Sequence, residues 1–256
     1  MLICPVRGCH LPLAREKRRV GCARAHSFDI ARSGYINLLQ PQDRRSKRPG
    51  DTADAVKARR RLEDLGITKP LLDSIAELLA PSPDDTVLDA GCGNGGFLGS
   101  LAGQTGFDAH GVDISVAAIE AAARRFPLCQ WIVANVDRFI PYSDSSFSIL
   151  LSITARMNVN EFRRVLRNNG RLLVAIPAPD DLIELRRAGR ERVERTVATF
   201  APHFAFVAHH RATSTADLDA SAVRDVLHSV YRPLRAQPAQ AMRLTFSFDL
   251  LLFHPS

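Results

Sequence analysis

A chain of 256 residues with 46% hydrophobic side chains has room for one α/β domain of ordinary size plus a small appendage, and can build a core without staples. The excess of 34 Lys and Arg over 27 Asp and Glu, a net charge of +7, favours a polyanionic partner but does not separate RNA, DNA and a membrane surface. Five cysteines, an odd number in a mixed-charge chain without a segment that reads as a secretory signal, argue against a secreted disulfide framework and for a cytoplasmic protein. No run reaches the roughly 18 apolar residues a bilayer span needs.

In residues 1–40, Cys4, Cys9, Cys22 and His26 follow the pattern C-x4-C-x12-C-x3-H, close to the spacings by which paired turns converge on tetrahedral zinc. Three thiolates and one imidazole would close the shell, so such a site is structural. Metal binding would also supply free energy that so small a core lacks. Pro5 to Gly8 make the first turn longer than the common two-residue spacing, and His10 is an alternative ligand to Cys4. Arg15, Lys17, Arg18 and Arg19 lie between the ligand pairs; they either face nucleic acid or form a solvated hairpin tip.

From Pro41 to Gly50 the chain is polar, with Arg44, Arg45, Lys47 and Arg48 before a Pro-Gly pair, and reads as a linker. Asp51 or Thr52 can cap a helix carrying Lys57, Arg59, Arg60 and Arg61, a phosphate-binding surface or a solvated face. A second helix, roughly Pro70 to Leu79, has enough apolar positions to pack on a sheet and leads into a strand at Thr86.

Val87 to Gly96, VLDAGCGNGG, reads as a buried strand, a glycine turn and the start of a helix, a form that lets a ligand approach the backbone. Gly91, Gly93 and Gly96 satisfy the dinucleotide fingerprint G-x-G-x-x-G, with Asp113 about 20 residues on. Asp89, two residues before the first glycine, favours instead a ligand with an ammonium group and no phosphate, because its charge would repel a pyrophosphate. S-adenosylmethionine (SAM) is such a ligand. Asn94 and Gly95 lie in the same turn.

A second strand, Asp108 to Val112, ends at Asp113, which either accepts ribose hydroxyls or caps the next helix; Ile114 follows it. After the helix Ala117 to Arg125 and the strand Gln130 to Ala134, Asn135 and Val136 could present an amide and a backbone N–H to an adenine edge, with Asp137 beside them. Phe147 to Ile153 is the fourth strand. The loop Thr154 to Asn158, with Arg156, lies at the carboxyl edge where open α/β sheets bind ligands. A helix at Glu161 to Leu166, a turn at Asn169-Gly170 and a strand at Arg171 to Ile176 complete a parallel, doubly wound sheet. Arg186 to Thr196 reads as an exposed basic helix. Phe204 to His209 and Leu244 to Phe253 have strand character, separated by a helix from Ala216 to Val230 and Tyr231-Arg232-Pro233.

The glycine turn resembles motif I of the class I SAM-dependent methyltransferases. Together, the Cys/Cys/Cys/His set, FDIARSGYINLL from Phe28 and RPGDTADAVKARRRLEDLG from Arg48 resemble the RlmA-type ribosomal RNA guanine-N1 methyltransferases, from about Cys4 to Leu185. The resemblance implies a class I (Rossmann-like) α/β fold with a seven-stranded sheet and a small zinc-ribbon-like module. Residues 1–40 would be a zinc-binding RNA-recognition module, 41–83 a basic linker with approach helices, and 84–256 the SAM-dependent methyltransferase domain. It also implies structural zinc, large-subunit ribosomal RNA as partner, and cofactor contacts from Thr68, Gly96 and Asp181. The chain departs from the family at Ser148, where Asp is usual, at Arg156, where Ala-Pro continues as Pro, and at Asp181, where His is usual. For transfer to guanine N1, Arg156 could stabilise charge on O6, and Asp137 or Asp181 could accept the proton of an unpaired or extruded base. Two alternatives stay open, a class I methyltransferase with a small-molecule acceptor and an RNA-binding protein that keeps SAM without catalysis. The sequence does not settle the oligomeric state; a homodimer is one option.

Overall fold

The computed structural model describes residues 1–43, 50–229 and 239–256; the basic run Arg44, Arg45, Lys47, Arg48 and the Tyr231-Arg232-Pro233 stretch lie outside the described residues. At the N-terminus β1 (Ala14–Glu16), β2 (Arg19–Gly21) and β3 (Ser27–Asp29) form a small antiparallel sheet. Strands this short cannot enclose a core of their own. Val20 and Ile30 instead join the apolar cluster that contains Tyr142 and Phe147 of the larger body.

β4 (Ile36–Asn37) leaves this module and pairs in parallel with Ile132 and Val133, becoming the edge of the main sheet. α1 (Ala53–Asp64) starts where the Thr52 hydroxyl accepts the Ala55 N–H, and buries Val56, Ala58 and Leu62. α2 (Lys69–Leu79) has Pro70 in its first turn, where a missing N–H costs nothing, and ends at a left-handed Ala80.

Strand and helix then alternate: β5 (Thr86–Ala90), α3 (Gly96–Thr105), β6 (Asp108–Asp113), α4 (Val116–Arg125), β7 (Gln130–Val133), β8 (Phe147–Ile153), α5 (Val159–Val165) and β9 (Leu166–Pro177). α6 (Val193–Phe200), β10 (Phe204–Leu218), α7 (Ala220–Ser229) and β11 (Met242–Pro255) complete the chain. Successive strand residues serve opposite layers. Leu88, Leu150, Leu172 and Val174 share one cluster with Phe162 and Phe200, while Val87, Ile149, Leu151 and Leu173 share another with Leu98 and Ile119.

Among the described residues the main sheet has eight strands, in the order β10-β11-β9-β8-β5-β6-β7-β4, and β11 alone runs against the rest. The seven strands expected from the sequence are therefore one short, because β4 adds an edge from the N-terminal segment. The order reverses at β5, with β6 on one side and β8 on the other, so the carboxyl ends of β5 and β8 frame the switch-point crevice where such sheets bind ligands.

Three other expectations are corrected. Arg186 to Thr196 is not one helix: the Glu191 carboxylate accepts the Arg192 and Val193 N–H groups and starts α6 there, with Thr196 and Phe200 buried. Asn169-Gly170 lies inside the continuous strand β9. The helix expected from Ala216 begins at Ala220, where the Asp219 carboxylate accepts the Ala222 N–H, and residues up to Leu218 belong to β10. No helix among the described residues is long and apolar enough to cross a membrane.

Candidate functional site

Cys4, Cys9, Cys22 and His26 converge, with ligand atoms all within 4.8 Å of one another. Tetrahedral zinc with usual bond lengths would hold sulfurs about 3.8 Å apart and sulfur from nitrogen by about 3.5 Å. The Cys9 and Cys22 sulfurs are 3.7 Å apart, and His26 Nδ1 lies 3.4 Å from both the Cys4 and Cys22 sulfurs, so the residues fit the ion. Short turns shape the site: the Cys9 N–H donates to Val6 O and the Cys22 N–H to His26 O. The longer first turn thus still delivers Cys4. His10 lies outside this group of four; its ring stacks on Phe139, centroids 4.8 Å apart. Arg15, Lys17, Arg18 and Arg19 lie on or beside the exposed β1–β2 hairpin, where Arg19 pairs with Glu16 at 2.7 Å.

At the crevice, the Gly91 and Cys92 N–H groups both donate to Val112 O, folding the turn back over β6. Gly91 has φ +89°, and a β-carbon there would lie 2.5 Å from the Ala155 β-carbon, so only glycine fits. Gly95 opens α3, and Gly96 is its first residue. Asp113 accepts the Gly93 N–H at 2.9 Å on one oxygen and the Ser115 N–H at 2.7 Å on the other. Burial pushes its carboxyl up, and those two N–H donors oppose the shift. Ile114, next to it, packs partly into the apolar layer.

Asp89 is 2% exposed, and its Oδ1 has no hydrogen-bond partner. Burial, reinforced by the charge of Asp113, pushes its carboxyl up to about 8. A buried carboxylate in this state is completed by a cation. A ligand ammonium would meet that need, whereas the pyrophosphate of a dinucleotide would add a third like charge beside Asp89 and Asp113. The site therefore fits SAM and disfavours the dinucleotide reading of the glycine pattern.

α1 lies across this turn, a placement that no local sequence signal announces. Asn94 donates to Glu63 Oε1 at 2.8 Å, and Arg125 pairs with the same carboxylate, which sits against Gly96. Arg59 pairs with Asp51 at 2.5 Å beside Gly93, and Gly50 rests on Ser115, whose hydroxyl donates to Asp51 O. Arg61 binds Asp225, Arg60 binds Asp64 and Lys57 lies 3.8 Å from Asp54. Each basic residue of this face of α1 thus has a carboxylate partner, while Lys57, Arg60 and Arg61 stay more than half exposed. The i,i+3 and i,i+4 pairs were visible in sequence; the Asp51, Glu63 and Asp225 contacts had no local signal.

Past β7, Asn135 Oδ1 accepts the Asp137 N–H and its amide donates to Asp43 O at 2.9 Å, so this amide is engaged within the chain. Val136 is buried, and Val136 O and Asp137 O both accept from the Asn158 amide. Asp137 and Arg156 face one open cleft of about 510 Å³, shared with Met157, Asn158, Val159 and Asn160. Arg156 Nε lies 3.5 Å from Asp137 Oδ2, and the arginine is 63% exposed, a loose pair that a substrate can displace.

Thr68 caps α2 through its backbone, and neighbouring Ile67 shares an apolar cluster with Leu182. Asp181, 5% exposed, accepts from Arg186 at 2.5 Å and from the Ser247 N–H at 3.2 Å, which fastens the loop after β9 to β11. Burial raises its carboxyl to about 6 against those donors. Among the described residues neither Thr68 nor Asp181 hydrogen-bonds to the glycine turn. Ser148 sits at the other end of the sheet: its hydroxyl donates to Asp85 at 2.6 Å and accepts the Thr86 N–H, so this departure from the family pattern does not touch the crevice.

Comparison with known proteins agrees with this arrangement. A family model described as the RlmA N-terminal zinc ribbon matches residues 2–47, and one described as a methyltransferase domain matches residues 87–175. The 23S rRNA (guanine(748)-N(1))-methyltransferase of Streptomyces fradiae is 37% identical over 238 residues, 88% of this chain and 83% of its own. YxjB of Bacillus subtilis (strain 168), named provisionally as a 23S rRNA (guanine-N(1)-)-methyltransferase, is 36% identical over 73% of this chain and 68% of its own. Among solved structures, a TehB-like SAM-dependent methyltransferase from Corynebacterium glutamicum superposes with TM-score 0.50 at 17% identity, covering 80% of this chain and 99% of that one, a likeness of fold alone. With a zinc ribbon, a methyltransferase sheet and relatives this similar over most of their length, the chain belongs to the RlmA-type 23S rRNA (guanine-N1)-methyltransferases.

Proposed function

We propose that this protein transfers the methyl group of S-adenosylmethionine to N1 of a guanine in large-subunit ribosomal RNA, acting in the cytoplasm. The observation that carries the reading is the contact of the cofactor turn with the acceptor loop at Gly91 and Ala155, which sets a cation-seeking carboxylate, Asp89, one loop away from the Arg156–Asp137 cleft. SAM supplies an electrophilic methyl group on a sulfonium. Asp89 would hold its ammonium, Asp113 with Ile114 its ribose, and Val136 its adenine edge, with Gly91, Gly93, Asn94, Gly95 and Gly96 forming the floor. Thr68 and Asp181 would close the same side, each next to a residue, Ile67 and Leu182, of one apolar cluster.

In the cleft, Asp137 would accept the N1 proton and Arg156 would turn from Asp137 to the charge growing on O6, while SAM would give up its methyl group and leave as a neutral thioether. Alignment of N1 with the methyl group avoids an entropic cost of about 7 to 11 kcal/mol. Because N1 lies on the Watson-Crick edge, the target base is unpaired or flipped out. Residues 1–40 form the zinc-bearing module that receives RNA, on the exposed basic hairpin at Arg15, Lys17, Arg18 and Arg19.

The test supplies methyl-labelled SAM with protein-free large-subunit rRNA and, separately, with a metabolite extract. Label in the rRNA is expected. Label in the extract alone, or SAM binding without transfer to either, would overturn the reading.

A further inference from the structure

The metal knuckle reaches the segment behind the acceptor cleft at Phe139, whose ring both His10 and Arg164 lie against. His10 follows Cys9, is held at φ +51°, and lies between the Cys9 turn and Leu11, whose carbonyl accepts the Cys4 N–H. Its exposed ring stacks on Phe139 at 29° between planes, and the Arg164 guanidinium lies 5.0 Å from the same ring's centroid.

Arg164 is fully used. It donates to Glu161 at 2.8 and 2.6 Å, to Tyr142 O and Ile140 O at 2.7 Å each, and to Asp144 at 3.0 Å, while Glu161 also accepts the Ile140 N–H at 2.7 Å. These bonds lock the segment 140–144 to α5. At the other end of α5, the Asn158 side chain caps the helix by accepting the Glu161 N–H, and its amide holds Val136 O and Asp137 O. Both walls of the cleft, Asp137 and the Arg156–Asn158 stretch, therefore belong to one hydrogen-bonded unit. The N-terminal module docks on that unit through the His10–Phe139 stack and through the Ile3 N–H to Pro141 O bond at 3.0 Å.

We propose that His10 and Phe139 are positioning residues: the metal-held turn at Cys9 presses His10 on Phe139, and Phe139 through Arg164 sets α5 so that Arg156 and Asp137 face each other across the cleft. The module's metal thus shapes the acceptor site as well as its own fold. The proposal rests on the reading of the cleft as the acceptor site. Geometry matters here because a misplacement of about 1 Å costs roughly a hundredfold in rate.

The test compares full-length wild type, His10→Ala and His10→Phe, each loaded with zinc. For His10→Ala, unchanged zinc content, unchanged SAM affinity, faster amide exchange over residues 137–165 and a fall of about tenfold or more in single-turnover methylation are expected. In His10→Phe, which keeps a flat ring for the stack, exchange and rate should both return toward wild type. Unchanged exchange in His10→Ala, or an equal defect in His10→Phe, would overturn the proposal. If His10→Ala lost zinc, Phe139→Leu, which leaves the ligand turns themselves unaltered, would carry the same expectations. Failure of wild type to methylate any guanine would instead strike the proposed function, while the exchange comparison would still decide the stack.

Discussion

Gly91 and Ala155 are in such close approach that a β-carbon on the glycine would stand 2.5 Å from the alanine β-carbon. Gly91→Ala must therefore shift the acceptor loop and also hold a side chain at φ +89°. A stability loss of about 1–3 kcal/mol is expected from the backbone term, with SAM affinity reduced roughly tenfold or more as the turn deforms. In Gly91→Ala/Ala155→Gly the clash is gone and the strain is not, so partial recovery is expected. Thermal unfolding and SAM titration of the three variants check this; full recovery would mean that backbone strain at Gly91 contributes nothing.

Asp89 gives a pH dependence whose sign follows from its environment. Its carboxyl holds a proton up to about pH 8 in the fold, as against about pH 4 in an unfolded chain. The native state binds more protons between those values, so stability without ligand falls as pH rises through that window. Binding of a ligand ammonium favours the ionised form, so below pH 8 SAM binding releases a proton and tightens as pH rises. The ligand's own amine titrates near pH 8, which makes Asp89→Asn the needed comparison. Calorimetry in buffers of different ionisation enthalpy should show proton release in wild type, and in Asp89→Asn little release and binding weaker by about tenfold or more, the worth of a charge-assisted bond. Equal release in both proteins would remove Asp89 from the ammonium site.

Cys22→Ser removes one of four converging ligands and should lose zinc, with melting of the β1–β3 module. Chelation of wild type should have the same effect, because the short strands have no core of their own. Metal analysis and amide exchange over residues 1–30 measure both. Full zinc content in Cys22→Ser would exclude the assigned ligand set.

Arg156→Ala should lower the single-turnover methylation rate by about a hundredfold, the usual scale for loss of one charge-stabilising donor, with SAM affinity unchanged. Arg156→Lys should recover part of the rate. An unchanged rate in the alanine variant would end the role assigned to Arg156.

What could be read from the sequence was what short range dictates. The apolar runs at β5, β8 and β9, the cap at Thr52, the ligand spacing and the glycine turn all depend on residues within a few positions of one another. The eighth strand was hidden because Ile36 and Asn37 pair with residues nearly a hundred positions away. The same holds for Glu63, which reaches Asn94 and Arg125 from another helix, and for Phe139, an ordinary aromatic until His10 is folded on it. Ser148 departs from the family pattern, and its hydrogen bonds to Asp85 and Thr86 put it at the amino end of the sheet. Arg186 to Thr196 misled because basic residues carry no periodicity that separates a loop from an exposed helix, and the Glu191 cap that decides the matter is a side-chain choice.

The most direct measurement of the central claim is nucleoside analysis of unmodified large-subunit rRNA after incubation with the protein and methyl-labelled SAM. The label should appear in N1-methylguanosine, and much less of it with Arg156→Ala. Label in any other nucleoside, or none in RNA while SAM is bound, would contradict guanine-N1 transfer by this cleft.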